Sequence, residues 1–443
     1  MTTVRWCALA ALVAFTGGCA SAPFVPVQPS AANGARSPAA PPKKIQHVLI
    51  LIQENRSFDN FFATFPRAEG TMQGRLRTGT TVTTVPLTKA GLLAAADVPH
   101  NYNSYRIDYD GGKMDGFGIV ASNYGKPQLA PYQYVDPKQI AVYWTLAKRY
   151  VLADHMFMTA GSDSTIAHQD LIAGGTQINT NDAIVDSPIG GGPPGCDASK
   201  NTITSLVTRA GAFLKYGGPF PCYSYATLRD LLDRKHVSWR YYHSTPYDPW
   251  NPFEAIRAVR YGDEWGTKVV DPQTKLFGDI KNQKLPSVSW VIPTGDYSDH
   301  PGIPHDYGPD WIGSIVNAIG ESSYWQSTAI FIIWDDWGGL YDHVPPRQFD
   351  FGQLGFRVPA IVVSPYARSG YVAHTQYEFG SILRFVEDNW QLGRLGTSDV
   401  RAASVGDVFD FSQQPRRYVP VRVTHPPSFF IALPPSNLPL DTE

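Results

Sequence analysis

Three short stretches of this chain carry residue types that can do chemistry together. Glu54-Asn55-Arg56-Ser57-Phe58-Asp59 follows the apolar run 48–52, and Asp335-Asp336-Trp337-Gly338-Gly339 follows the apolar run 329–334, with Tyr341-Asp342-His343 just beyond. Two adjacent carboxylates at the end of an apolar strand repel each other and are poorly solvated unless a cation lies between them. Glu54, Asn55, Asp335 and Asp336 offer the oxygen-rich set that a hard or borderline divalent ion takes. The same carboxylates can also cap helices or pair with arginines. The third stretch, Gly161-Ser162-Asp163-Ser164-Thr165-Ile166-Ala167-His168, comes after the apolar segment 150–153. Ser164 there is either a nucleophile, if a metal lowers its hydroxyl pKa, or an ordinary helix cap. His100, His300 and His305 stand in loops rich in Pro, Asp and Gly. An imidazole in such a loop serves as a proton donor to a substrate or as a hydrogen-bonded loop residue.

These stretches need elements that hold them. An uninterrupted apolar run reads as a strand buried on both faces of a parallel sheet, and residues 48–52, 288–292, 329–334 and 360–363 all have that form. Trp311, Ile312, Ile315, Val316 and Ile319 recur at helical spacing between the second and third of these runs, and Ile382, Leu383, Phe385, Val386 and Trp390 do so after the last. Alternation of strand, helix and strand makes an α/β sandwich. Open parallel sheets carry their sites outside the carboxyl ends of the strands, which is where the loaded stretches fall. Residues 102–134 and 182–221, rich in Gly, Tyr and Asn with little periodicity, read as loop-rich insertions over the sheet.

The chain has 443 residues, and its 37 Lys and Arg against 39 Asp and Glu leave a formal charge of −2. That supplies none of the broad basic field that phosphate contacts of a nucleic-acid binder need, so nucleic acid is not an expected partner. Charged residues make up 17% and aromatics 13%, with 39 Gly and 37 Pro, a composition of loop-rich globular structure rather than disorder. At the amino terminus, one basic residue, the apolar run 7–15 and Thr16-Gly17-Gly18-Cys19 form a secretory signal, too short to span a bilayer that takes about 20 helical residues. The small residues before Cys19 resemble a bacterial lipobox, in which that cysteine is lipidated and anchors the protein to a membrane. Thr16 stands where the lipobox has Leu, so plain cleavage near residues 20–22 is the alternative. Residues 1–22 are then the signal, 23–44 a tether rich in Pro and Ala, 45–412 the globular domain and 413–443 a proline-rich tail. The expected location is outside the cytoplasm: periplasmic, secreted or membrane-anchored. The two cysteines left after processing, Cys196 and Cys222, are expected to bridge in an oxidising compartment.

Four motifs together resemble the bacterial phospholipase C and acid phosphatase phosphoesterase family, a branch of the alkaline-phosphatase superfamily. They are the Glu54 to Asp59 stretch, Met114-Asp115-Gly116-Phe117, the stretch from Asp335 through Asp342-His343-Val344, and Phe356-Arg357-Val358-Pro359 with Ser364-Pro365. The similarity runs in order over residues 45–395. It implies an α/β/α sandwich of alkaline-phosphatase type and one divalent metal ion, calcium, zinc or another, bound by Glu54, Asn55, Asp335, Asp336 and the nucleophile. The nucleophile position falls on Ser164, with His100 and His300 at the family's histidine positions. The family often has Pro two residues after its nucleophile, where this chain has Ile166; Thr165 and Ser162 are therefore alternatives. Arg56 is either a phosphate clamp or structural, and His305 and His343 are further candidates. The larger phospholipases carry additional C-terminal β domains, whereas this chain ends soon after residue 395, so it looks like the compact, phosphatase-like end of the family. The resemblance implies hydrolysis of phosphoesters or phospholipids through a phosphoserine. The competing reading is a secreted lipoprotein of the same fold that binds phosphorylated ligands without turnover. Sulfatase chemistry is disfavoured, since the Cys/Ser-x-Pro-x-Arg motif of that branch is absent. The oligomeric state has no signature in the sequence.

Overall fold

A computed structural model describes residues 44–244, 247–349 and 354–438. The signal, Cys19 and nearly all of the tether lie outside the described residues. No helix among them is long and apolar enough to cross a membrane.

The core is an eight-stranded sheet. Its strands in chain order are β1 (His47–Gln53), β2 (Val151–Ala153), β3 (Trp239–Tyr242), β4 (Val269–Val270), β5 (Val288–Val291), β6 (Thr328–Trp334), β7 (Ala360–Val363) and β8 (Tyr371–Ala373). Across the sheet they lie in the order β4-β3-β5-β1-β6-β7-β2-β8. Residues 48–52 of β1 and all of β6 are buried, as an apolar run covered on both faces requires. Each such Val, Leu or Ile contributes about 1.5–3 kcal/mol relative to exposure.

Two helices expected from the sequence flank these strands. α3 (Gly308–Gly320) buries Trp311, Ile312, Ile315, Val316 and Ile319, and α4 (Phe379–Trp390) buries Ile382, Leu383, Phe385 and Val386. Two further helices matter for the site: the short α1 (Phe58–Phe62) and α2 (Ser164–Ala173), which packs against α4. α2 opens on Asp163, whose side chain accepts from the Ile166 N–H, and closes on Gly174 in the left-handed conformation at φ 68°. Both are favourable helix ends, the aspartate cap worth about 1 kcal/mol.

The structure corrects the sequence reading in two places. Residues 360–363 form a buried strand, but β7 runs antiparallel to both β6 and β2, against the direction of the rest of the sheet. The chain returns from β6 through the long segment that starts at Asp335, with no crossover helix among its described residues, and re-enters reversed. The insertions also hold regular elements. Residues 102–134 contain helices Tyr102–Tyr109 and Phe117–Asn123, the first capped by Asn101, and residues 182–221 build a three-stranded antiparallel sheet. Cys196 and Cys222 form a disulfide that ties this second insertion to the chain leading into the next helix. The proline-rich C-terminal stretch lies against the body, with helix Pro427–Ala432 packed on α3 through Phe430.

Candidate active site

β1 and β6 are parallel neighbours paired in register, Gln53 opposite Trp334, so their next residues leave the sheet side by side. Glu54 comes out beside Asp335 and Asn55 beside Asp336. α2 arrives from a third direction and adds Ser164 and, one turn later, His168. Three elements thus each supply two residues, and the six side chains form two layers: Glu54, Asp335 and His168 in one, Asn55, Asp336 and Ser164 in the other. All six residues are 0% exposed.

The turn after Asp336 explains the Gly-Gly that follows. Gly338 and Gly339 have φ of 60° and 67°. A Cβ would lie 2.5 Å from the Asn55 carbonyl oxygen at Gly338 and 2.6 Å from the Val98 carbonyl oxygen at Gly339. Only glycine lets the loop fold back this closely against β1 and the segment bearing His100. Asn55 itself adopts φ 57°, a conformation that Asn tolerates, and its N–H donates to Asp335 Oδ1 at 2.9 Å.

In the Glu54 layer, candidate ligand atoms of Glu54, His168 and Asp335 lie within 4.8 Å of one another. His168 Nε2 is 3.1 Å from Glu54 Oε1 and 3.7 Å from Asp335 Oδ2. Burial raises the pKa of Glu54 well above the usual carboxylate range, and the negative fields of Asp335, Asp336 and Asp248 push it the same way. Burial also lowers the pKa of His168, against the pull of Asp335 and Asp248. Asp335 Oδ2 and His168 Nδ1 have no hydrogen-bond partner. Packed carboxylates, an imidazole and an orphaned carboxylate oxygen fit a divalent cation, because an ion relieves the repulsion and gives the orphan oxygen a partner.

In the Ser164 layer, Ser164 Oγ donates to Asp336 Oδ2 at 2.8 Å. The Asn55 amide fits its surroundings with NH2 toward Ser164 Oγ at 3.3 Å, Asp335 Oδ1 at 3.2 Å and Glu54 Oε2 at 3.3 Å. Its oxygen then accepts from His100 Nε2 at 2.9 Å and His300 Nε2 at 3.0 Å. The Nδ1 atoms of the two rings face the carbonyl oxygens of Val98 at 2.9 Å and Pro301 at 2.7 Å. Each ring is thus held between two oxygen acceptors, a backbone carbonyl at Nδ1 and the Asn55 amide at Nε2. His100 Nε2 also lies 3.6 Å from Asp336 Oδ2, and Trp250 stacks on His300 at 6.1 Å between centroids.

The structure brings Glu54, Asn55, Ser164, Asp335, Asp336, His100 and His300 together. It places the other candidates elsewhere. Buried Arg56 donates to the carbonyl oxygens of Asp299 at 2.7 Å and Leu92 at 2.9 Å, and burial pulls its pKa down to about 10. Thr165 Oγ1 meets Ser187 Oγ at 2.6 Å, and Ser162 Oγ donates to Asp186 Oδ1 at 3.1 Å. His305 stacks on Tyr307 at 4.8 Å and lies 3.5 Å from Asp296, while His343 Nδ1 is 2.6 Å from Asp59 Oδ2. His168 was missing from the sequence candidates, although its spacing four residues after Ser164 puts both on one face of a helix. Asp248, in the loop beyond β3, was missing too and carries no such signal. Beside the start of α2 opens a cavity of about 670 Å³, lined by Thr165, Gln169, Tyr223, Asn251 and, from the C-terminal stretch, Leu438.

Buried carboxylates, imidazoles and a helix-borne serine thus meet at the carboxyl edge of the sheet. The chain belongs to the Phosphoesterase family, which matches residues 45–393. It is 24% identical over 90% of its length to the non-hemolytic phospholipase C of Burkholderia pseudomallei, of which it spans 64%. It is 23% identical to phospholipase C B of Mycobacterium tuberculosis, covering 86% of this chain and 80% of that one. With non-specific phospholipase C3 of Arabidopsis thaliana it shares 24% identity over 89% of this chain and 78% of that one. A solved structure of an alkaline phosphatase superfamily protein from Vibrio parahaemolyticus shares 11% identity at a TM-score of 0.37, covering 84% of this chain and 74% of its own.

Proposed function

We propose that the protein hydrolyses phosphoric esters, phospholipids or phosphomonoesters, through a phosphoserine on Ser164. The observation that carries this reading is the 2.8 Å hydrogen bond from Ser164 Oγ to Asp336 inside a buried carboxylate group at the start of α2. Glu54, Asp335 and Asp336, with Ser164 and with the Asn55 amide turned so that its oxygen faces them, would hold a divalent cation, which when bound supplies positive charge to a phosphoryl oxygen and to the serine hydroxyl. Asp336 takes the Ser164 proton as the Oγ–P bond forms and the bond from phosphorus to the leaving oxygen breaks. A His100 or His300 N–H protonates the departing alkoxide, a role worth roughly 10² to 10⁴ in rate. In the second half, that imidazole takes a proton from the attacking water, the Oγ–P bond breaks, and Asp336 returns its proton to Ser164. The partial positive charge at the amino end of α2 favours the anionic phosphoryl group throughout. The cavity beside Thr165 is where the ester's remaining substituent would lie.

The names of the curated relatives favour a phospholipid, acted on outside the cytoplasm, with Cys19 as the candidate membrane anchor. Ser164→Ala tests the reading: turnover of an aryl phosphate and of phosphatidylcholine is expected to vanish while metal stays bound. A chiral phosphate ester is expected to give retention at phosphorus, the result of two in-line displacements. Inversion, or an active Ser164→Ala enzyme, would overturn the phosphoserine. Phosphate binding by the metal-loaded protein with no ester hydrolysed would favour the binding-lipoprotein reading.

A further inference from the structure

We propose that His168 is a direct ligand of the metal and that its nitrogen makes the centre select a first-row transition ion such as zinc over calcium or magnesium. The proposal rests on the metal-dependent phosphoesterase reading and sharpens it, since an oxygen-only set of Glu54, Asn55, Asp335, Asp336 and Ser164 would leave the ion's identity open.

The layering of the site is the main argument. Glu54 and Asp335 leave adjacent, registered strands, and His168 is the residue that completes their layer from α2. Ligand atoms about 2.0–2.2 Å from one ion sit roughly 3.0 to 3.6 Å apart in tetrahedral or octahedral arrangements. The observed 3.1 Å from His168 Nε2 to Glu54 Oε1 and 3.7 Å to Asp335 Oδ2 are close to that spacing. A histidine placed only to hydrogen-bond Glu54 has no need to approach Asp335 as well. Asp335 Oδ2, the atom facing the ring, has no hydrogen-bond partner, so an ion between them satisfies a group that is otherwise left unpaired in the interior.

The donor chemistry then decides among ions. Calcium and magnesium take oxygen ligands, calcium at 2.3–2.6 Å with six to eight of them. Imidazole suits zinc, iron, copper and nickel. Zinc in turn is commonly held by His together with Asp or Glu. His168 also ties the ion to the nucleophile mechanically. Ser164 and His168 are one turn apart on a helix fixed by the Asp163 cap and the Gly174 exit, so coordination at His168 sets the depth at which Ser164 is held.

The test uses the mature full-length protein stripped of metal and reloaded with zinc, calcium or cobalt, comparing wild type with His168→Gln. In the wild type, zinc is expected to displace calcium, and the cobalt form is expected to show a hyperfine-shifted, solvent-exchangeable imidazole N–H proton resonance. In His168→Gln that resonance disappears and zinc affinity falls by more than the roughly 10- to 100-fold that loss of a group merely supporting a ligand costs. His168→Cys, which returns a zinc ligand at the same position, is expected to recover zinc binding, a recovery that a merely misfolded helix would not allow. Calcium bound by the wild type as tightly as zinc would overturn the proposal. So would a shifted resonance and zinc preference that survive in His168→Gln. A wild type that binds zinc through His168 yet hydrolyses no phosphoester would overturn the functional reading alone and leave the ligand assignment standing.

Discussion

Two buried acidic clusters grow from the same pair of chain segments, and they are neutralised in different ways. Asp59 and Asp342 lie a few residues beyond Glu54 and Asp335, and with His343 they also bring candidate ligand atoms within 4.8 Å of one another. There the space between the carboxylates belongs to Arg357, which donates to Asp342 Oδ1 at 2.8 Å, to Asp342 Oδ2 at 3.0 Å and to Asp59 Oδ1 at 3.4 Å. Burial opposes the charge of that guanidinium, but Asp342 and Asp59 outweigh it and hold the pKa of Arg357 above its ordinary range. It also donates to the carbonyl oxygens of Glu69 and Asp154 and stacks over Phe58 at 4.6 Å. Around Glu54 the Coulombic neighbours Asp335, Asp336 and Asp248 all raise its pKa, and Arg56, next along the chain but one, turns its guanidinium to backbone carbonyls instead. The Asp59 cluster is closed by its own arginine, whereas the Glu54 cluster has no arginine among the described residues between its carboxylates and is the candidate ion site.

Mutations at the two clusters should therefore separate chemistry from stability. Asp335→Asn is expected to have the largest effect, a loss of about 10³-fold or more in turnover, the scale of losing a principal electrostatic stabiliser, with metal content falling alongside. Metal analysis and steady-state rates check it; full activity with unchanged metal in both Asp335→Asn and Asp336→Asn would make that pair structural and erase the contrast. Arg357→Met leaves two buried carboxylates without their partner and is expected to cost about 3–5 kcal/mol of folding stability, read by urea denaturation. Its metal content should match the wild type, and a drop there would mean that the Asp59 cluster also bears on the ion. Chelation is expected to lower the stability of the loaded wild type by about 2.7 kcal/mol when the free ion had stood at 100 times its Kd. That increment should be missing in Asp335→Asn and intact in Arg357→Met. Thr165→Ala, which removes the contact with Ser187 and trims the cavity wall, is expected to slow turnover about tenfold, or ~1.4 kcal/mol in barrier. A loss as deep as that of Ser164→Ala would move the nucleophile to Thr165.

Much of the fold and of the Glu54 group was legible in the sequence. Continuous apolar runs announced β1, β5 and β6, helical spacing announced α3 and α4, and polar residues packed immediately after buried strands announced Glu54, Asn55, Asp335 and Asp336. The direction of β7 was not legible, because an apolar run reads the same both ways and the returning connection decides its polarity. Helix Tyr102–Tyr109 was hidden because the residues it buries are Tyr102, Ser104, Tyr105 and Asp108, which do not register as an apolar face. The division of the carboxylates into two clusters was hidden for a different reason. It depends on where Arg357 folds back, fifteen positions beyond its partner Asp342, and on where Arg56 turns away. His168 stood at the right interval from Ser164, but a histidine inside a helix says nothing about its neighbours until β1 and β6 are placed beside it.

The bond from the Asn55 N–H to Asp335 joins residues 280 positions apart. Contacts so distant along the chain close late, after local helices have formed, because a long loop must first be brought together. A chain still being synthesised holds Glu54 and Ser164 before Asp335 and Asp336 have been made. Catalytic competence would then begin only when folding is nearly complete, which separates the moment of synthesis from the moment at which any phosphoester nearby becomes a target.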